Sequence, residues 1–498
     1  MQIMLVAAEC APVAKVGGLG DFVHGLAREL ARQGNTVEIV LPKYDCLRHD
    51  RIDDLHKAYR DLWVPFYERS VHCDLEVGRV DGVQCWLIDA HSPRNLFERG
   101  RIYGEPDDVE RFAFFSRAVL EFLHKSNKQP DIIHCNDWHT GLVPVLLYEI
   151  YEGLGMTRPR VCYTLHNVGH QGVTGQSVLY QVGLDSKRMP TLERLSDPGD
   201  PGAVNLMRGG ILYSNTVTTV SPRYAWEIEH TDQGMGLQGT LAARAQKVVG
   251  VLNGIDVDTW NPATDSHLVA PFTADSLPNK ALSKAALRQR LGLQDASKPI
   301  VSVISRLDRQ KGVALLRHAI YYALENECQV ALLGSAPDPA VDRLFRGIKD
   351  EMEGSPDCQL ELAYDEDLAH QMYAGSDMIV IPSVYEPCGL TQMIAMRYGC
   401  VPIARRVGGL ADTVFDANYS DRPFEERNGY VFNDFTRDGL DSALARAIGL
   451  WFRFPEYFRQ LRINGMRADH SWSKPAERYL SIYASVRPEA EGALTELA

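Results

Sequence analysis

Residues 2–8 form an apolar run long enough for one buried strand. A glycine-rich turn follows, Lys15-Val16-Gly17-Gly18-Leu19-Gly20-Asp21, and then apolar residues at Phe22, Val23, Leu26, Ala27, Leu30 and Ala31. That spacing places them on one helical face. Gly34 stands where a helix C-cap belongs, and 36–42 is a β-branched run. The order strand, helix, strand predicts a parallel sheet. The pattern continues with strands over 83–90, 131–134, 160–165, 215–220 and 248–252, and with a helix face at Val109, Phe112, Ala113, Ser116, Val119, Leu120 and Leu123.

Polarity rises over 253–275, with Pro262, Pro271 and Pro278 in or near the stretch, and an interdomain linker is expected there. Beyond it a second α/β series shows strand-like runs at 299–304, 329–333, 378–381 and 401–404. A final helix over 472–486 carries Tyr479, Ile482 and Tyr483 on one face. The expected organisation is one α/β domain over 1–258, a second over 259–471, and a return of the last helix to the first domain. The last dozen residues are expected to fray. The turn at 15–21 has an echo in Arg406-Val407-Gly408-Gly409-Leu410-Ala411-Asp412. Two readings stand. Both turns use glycine for close packing, or each of two nucleotide-binding halves offers an anion-accepting turn.

Composition narrows the function. With 52 Lys and Arg against 65 Asp and Glu, the 498-residue chain carries a net charge of −13. That disfavours general binding to nucleic acid or anionic membranes, so an anionic ligand must be met by locally gathered cations. The ten cysteines form no CxxC pair, which suits reduced thiols in the cytoplasm. The N-terminus has no basic stretch and carries Glu9 within its apolar run, so it reads as a strand and not as a signal peptide. No run of 18 apolar residues predicts a membrane span.

Four segments carry candidate chemistry. The 15–21 turn fits neither the GxGxxG order nor a Walker loop, but Lys15 beside paired glycines at a helix start suits a phosphate. Ser305-Arg306-Leu307-Asp308-Arg309-Gln310-Lys311-Gly312 follows a strand end, where Arg306 and Lys311 can converge on a diphosphate. Ser383 to Gln392 sets Glu386 beside a Pro-Cys-Gly turn that opens a helix. A carboxylate next to exposed amides suits sugar hydroxyls, although the same acid could simply complement the helix dipole. Thr164 to Gly172 places His166 and Asn167 at a strand end, as part of a polar pocket wall. His134, Cys135 and His139 crowd together but lack a second cluster spaced for zinc, and Asp256-Val257-Asp258 is too short a pattern to count as a metal site.

Taken together these segments resemble the bacterial glycogen synthase and starch synthase family. KVGGLGD (15–21), HCNDWHTGL (134–142), LHN (165–167), VLNGID (251–256), SRLDRQKG (305–312), EPCGLTQ (386–392) and VGGLADTV (407–414) come in the family's order. The resemblance implies an α/β GT-B fold, two Rossmann-like domains with parallel sheets facing across a deep cleft that holds the active site. It implies transfer of glucose from ADP-glucose to the non-reducing end of an α-1,4-glucan, with retention and without metal or cofactor. UDP-glucose with another acceptor, or a silent nucleotide-sugar or glucan binder, are the alternatives.

On this resemblance Arg306 and Lys311 would bind the diphosphate, and Lys15 with the Gly17 and Gly18 amides would meet the distal phosphate and the sugar. Glu386 would hold sugar hydroxyls, and Cys388, Gly389, Leu390 and Thr391 would present amides. His166 would set its carbonyl near the anomeric carbon and its ring toward the 6-hydroxyl, beside Asn167. Asp21, Asp137 and Asn253 would be polar cleft residues, and Tyr364 would contact adenine. Where members often read His-Asn-x-x-Tyr-Gln-Gly-x-Phe, this chain has His170 and Val173, a variant similar to the branch with plant isoforms III and IV. Ile394 stands where the wider EX7E pattern has its second Glu.

Overall fold

The computed structural model describes residues 1–184 and 189–487. The expected fraying of the last dozen residues therefore falls almost wholly outside the described residues. The chain divides into two compact units. One runs Met1–Gly254 and is rejoined by the segment from Trp472 on; the other is Ile255–Ser471.

The first unit is built on strands β1 (Gln2–Val6), β2 (Thr36–Pro42), β3 (Asp53–Phe66), β4 (Arg69–Val80), β5 (Val83–Ala90), β6 (Ile132–Asn136), β7 (Arg160–Leu165), β8 (Val173–Gly175), β9 (Ala203–Asn205), β10 (Thr216–Thr219) and β11 (Val248–Gly250). β8 and β9 pair alone; the others form one sheet in the order β11-β10-β7-β6-β1-β2-β5-β4-β3. Pairing is parallel from β11 to β5 and antiparallel across β5, β4 and β3. Helix Gly18–Arg32 buries Phe22, Val23, Leu26, Ala27 and Leu30. It ends as expected at Gly34, whose amide bonds Ala31 O at 3.0 Å while Asn35 N bonds Leu30 O at 3.2 Å, the Schellman pattern.

The long β3–β4 hairpin is absent from the sequence expectations. Its first strand is mostly exposed, and only Leu62, Val64 and Phe66 near its end are buried. With a charged, solvent-facing start and an irregular register against β4, it lacks the period-two signal that marks a strand. Helix Ser473–Val486 belongs to this unit and buries Tyr479, Ile482 and Tyr483 as expected. The Tyr483 hydroxyl lies 2.7 Å from His134 Nδ1, and His134 Nε2 lies 2.6 Å from Thr164 Oγ1. His134 is thus a core residue with both ring nitrogens committed.

The second unit holds β12 (Ile300–Ile304), β13 (Gln329–Leu333), β14 (Cys358–Glu361), β15 (Met378–Ile381), β16 (Val401–Arg405) and β17 (Tyr430–Phe432). All pair in parallel, in the order β14-β13-β12-β15-β16-β17. Counted from β12 this is 3-2-1-4-5-6, the Rossmann order. β14 and β17, at the two edges of the sheet, were not anticipated. Asp377 ties the sheet together. It accepts Ile300 N at 2.7 Å and pairs with Lys284 and Arg462. Burial pushes its carboxyl up, but the two cations prevail and hold it at about 2.

The strand order reverses between β1 and β6 in the first unit and between β12 and β15 in the second. In open α/β sheets ligands bind beyond the carboxyl ends of the strands at such a reversal. The loops after these four strands hold residues 7–17, 137–141, 305–312 and 382–390.

Candidate active site

In the first unit, Lys15 and Asp21 form an ion pair at 2.7 Å with side chains 45% and 32% exposed. An exposed pair contributes about 0–1 kcal/mol, so the ammonium can exchange Asp21 for a phosphate at little cost. Gly18 opens helix Gly18–Arg32. The Gly17 amide does not point outward as expected. It donates to Glu9 Oε2 at 2.9 Å, beside Val16 N at 2.6 Å. A buried carboxylate thus takes the Gly17 amide, while the first-turn amides of the helix from Gly18 on have no side-chain cap.

Asp137 follows β6 with φ of 55°, a strained value for a residue with a Cβ. Its Oδ1 accepts His166 N at 2.7 Å and Asn167 N at 3.4 Å. A trans peptide sets C=O opposite N–H, so the bond to Asn167 N turns the His166 carbonyl away from Asp137. Burial pushes the Asp137 carboxyl up to about 7, against the pull of the two amides and with help from the charge of Glu9.

The His166 ring packs edge-on against Phe22 with centroids 4.5 Å apart. Its Nε2 lies 3.0 Å from Asn136 Oδ1. Asn136 Nδ2 donates to Val6 O and His134 O, so Oδ1 must accept, and His166 carries its proton on Nε2. Nδ1 is then a lone-pair acceptor. Burial pushes this imidazole down to about 3, so it stays neutral. Asn167 Oδ1 accepts Gly169 N at 2.9 Å. Asn253, just past β11, is buried, and its Oδ1 has no hydrogen-bond partner.

In the second unit, Lys311 Nζ lies 2.6 Å from Glu386 Oε2, and Ser383 Oγ donates to the same oxygen at 2.8 Å. Glu386 is buried, so its first effect is to fix the direction of the ammonium. Asp308 caps the Lys311 turn by accepting Lys311 N at 3.1 Å and stands 3.5 Å from Arg306. The Arg306 side chain is 59% exposed. Val384 N donates to Gln310 O at 2.8 Å, which ties the two loops together. Gly312 is needed here: its φ is +75°, and a Cβ would lie 2.3 Å from Pro382 O.

Cys388, Gly389 and Leu390 lead into helix Thr391–Arg397, and no side chain caps that helix at Leu390. First-turn amides left without a capping side chain are donors for a ligand. Tyr364 is 80% exposed between β14 and helix Glu366–Gly375. The echo turn packs closely on the Glu386 loop. Gly409 N bonds Glu386 O at 3.0 Å, and a Cβ there would lie 2.0 Å from Cys388 O.

Metal-like clusters lie elsewhere. Among the described residues the groups with converging ligand atoms are His72–Asp74–His91 and Asp265–His267–His370. In the first, Lys57 already pairs with Asp74 at 2.6 Å. In the second, Asp265 Oδ2 holds both His370 Nδ1 and the Tyr398 hydroxyl. Asp256 Oδ1 accepts Asp258 N and Thr259 N, an Asx turn.

Residues 2–243 match the model of the starch synthase catalytic domain, and 298–449 match that of glycosyl transferases group 1. The chain is 57% identical to glycogen synthase 1 of Nitrosococcus oceani over 98% of this chain and 100% of that protein. It is 55% identical to glycogen synthase 2 of Methylococcus capsulatus over 97% and 100%. The chain belongs to the glycogen and starch synthase family. Its fold matches the catalytic domain of starch synthase IV from Arabidopsis thaliana, solved with ADP and acarbose, at a TM-score of 0.94 and 44% identity over 97% of this chain and 99% of that one. A sucrose-phosphate synthase from Thermosynechococcus elongatus, at 20% identity and a TM-score of 0.61, shares the fold alone. The chain is a GT-B glucosyltransferase of this family. No described helix is long and apolar enough to cross a membrane.

Sequence reasoning named Lys15, His166, Arg306, Lys311 and Glu386 but missed Glu9, Asn136, Asp308 and Ser383 as the groups that orient them. Glu9 had one visible signal, a charge inside an otherwise apolar strand-end run.

Proposed function

We propose that this glycogen synthase homologue moves glucose from ADP-glucose to the non-reducing 4-hydroxyl of an α-1,4-glucan, with retention at the anomeric carbon. Arg306 and Lys311 bind the diphosphate, and Lys15 meets the distal phosphate. The bond from C1 to the phosphate oxygen breaks and a bond from C1 to the acceptor oxygen forms on the same face. The acceptor's proton passes to the departing phosphate. Charge grows on that phosphate, and a fixed cation aimed at it contributes about 10²–10³ in rate. Glu386 and Ser383 hold Lys311 in place before the donor arrives, which lowers the cost of reorganisation.

The His166 carbonyl, turned outward by Asp137, faces the positive charge developing on the sugar, and Nδ1 of its neutral ring accepts the 6-hydroxyl. Asp21, Asn167 and Asn253 line the sugar and acceptor side. The first-turn amides after Cys388 donate to the sugar and phosphate, and the Tyr364 ring stacks on adenine. In this reading residues 1–258 with the last helix form the acceptor-side domain and 259–471 the nucleotide-sugar domain. The enzyme works in the cytoplasm; all ten cysteines are free and nine are buried, which suits a reducing compartment.

The observation that supports this reading most is the Lys311–Glu386 pair, 2.6 Å apart at the switch point of a Rossmann sheet. The test is glucose incorporation into glycogen from ADP-glucose and from UDP-glucose, each with and without EDTA. The expected result is a clear preference for ADP-glucose that is unchanged by the chelator. Transfer only from UDP-glucose, no transfer, or full loss with EDTA would reject the reading.

A further inference from the structure

Glu9 lies three residues past β1 and is 3% exposed. Its Oε2 accepts Val16 N at 2.6 Å and Gly17 N at 2.9 Å, and its Oε1 accepts the Tyr103 hydroxyl at 2.8 Å. Two consecutive backbone N–H groups that converge on one oxygen form an anion cradle. Here the anion is the protein's own carboxylate. The Lys15 main chain is pinned on both sides, because Ala14 N bonds Cys10 O at 2.8 Å and Val16 N is held by Glu9. The side chain of Lys15 stays 45% exposed. The turn is therefore rigid in its backbone, while its ammonium sits in a solvent-exposed pair with Asp21 at 2.7 Å.

We propose that Glu9 is a positioning residue for glucosyl transfer: by filling the cradle of the 15–17 turn it sets where the Lys15 ammonium meets the departing phosphate. The inference rests on the ADP-glucose reading above. Removing the carboxylate leaves two amides and a phenol without their acceptor, and the turn must rebuild around that loss. A glutamine keeps an oxygen for the amides and turns its NH₂ toward Tyr103, whose hydroxyl can also accept. Glu9 acts through Lys15, so its effect must vanish when Lys15 is gone.

Two measurements test this. The first is kcat for Glu9→Ala, Glu9→Gln, Lys15→Ala and the Glu9→Ala/Lys15→Ala double variant. Glu9→Ala is expected to lower kcat up to about 10²-fold, the effect of a small misplacement of a catalytic group, with the KM for glycogen unchanged. Glu9→Gln should recover most of the loss. The double variant should be no slower than Lys15→Ala alone, whereas independent effects would multiply. The second is trypsin cleavage between Lys15 and Val16, which reads the turn without any turnover. Glu9→Ala should be nicked faster than wild type, and Glu9→Gln should not. If Glu9→Ala does not fold, Tyr103→Phe, which removes one of the three donors, takes its place in both measurements with a smaller expected loss.

Near-wild-type kcat, multiplying losses in the double variant, or unchanged cleavage would overturn the proposal. Wild-type protein that fails to use ADP-glucose would reject the functional reading while leaving the cleavage result to judge the turn.

Discussion

Asp137 is a carboxyl inside a wall of backbone amides, and burial raises it to about 7. The folded chain thus keeps a proton that the unfolded chain, with a value near 3.8, has already released. Stability from this group is complete below about pH 4 and is lost as the pH rises through about 7. Asp137→Asn is accordingly expected to raise Tm relative to wild type by more at pH 8 than at pH 5, read by thermal melts at both values. An equal or smaller gain at pH 8 contradicts the assignment. Residues of this kind show how legibility fails at the smallest scale. Lys15, Arg306, Lys311 and Glu386 were readable because each stands in a compact run after a strand. Glu9, Asn136 and Ser383 hydrogen-bond to partners 7, 30 and 3 residues away, and such partners are set by folding. Even Asp137, named as polar, gave no hint that its task is to turn the peptide between His166 and Asn167.

At the scale of elements, the paired glycines of 407–409 explain why the Glu386 turn holds its shape. Gly409 passes under Cys388 so closely that a Cβ would sit 2.0 Å from its carbonyl oxygen. Gly409→Ala is expected to destabilise the protein by about 1–3 kcal/mol, as overpacking does, and to depress kcat because Glu386 and with it Lys311 must move. Urea unfolding and initial rates measure the two effects; a variant normal in both would show that the contact relaxes freely. The strands that frame the two switch points were legible to within a residue or two, because buried parallel strands read as continuous apolar runs. The β3–β4 hairpin was not, since a solvent-facing edge strand needs no apolar alternation over most of its length. The echo between 15–21 and 406–412 was visible, but which use the glycines serve was not. In both turns an amide meets an oxygen of a glutamate, the side chain of Glu9 in one and the backbone carbonyl of Glu386 in the other.

For the whole molecule, the decisive fact is that an acidic chain with a net charge of −13 must handle an anionic donor. In each unit, cations that follow the carboxyl ends of the sheet stand beside a carboxylate: Lys15 by Asp21, Arg306 by Asp308, Lys311 by Glu386. Of the three, only the Lys311–Glu386 pair is largely shielded from solvent; the other two are exposed and easily exchanged. The family order of seven motifs made the function legible at this scale, and the likeness over nearly the whole chain agrees with it.

The most direct test of the account is kcat for Lys311→Ala with ADP-glucose and glycogen, in protein whose circular dichroism matches wild type. If a fixed ammonium carries the charge of the leaving diphosphate, kcat falls by about 10²–10³ while the KM for glycogen stays near its original value. A rate within a few-fold of wild type would contradict the account.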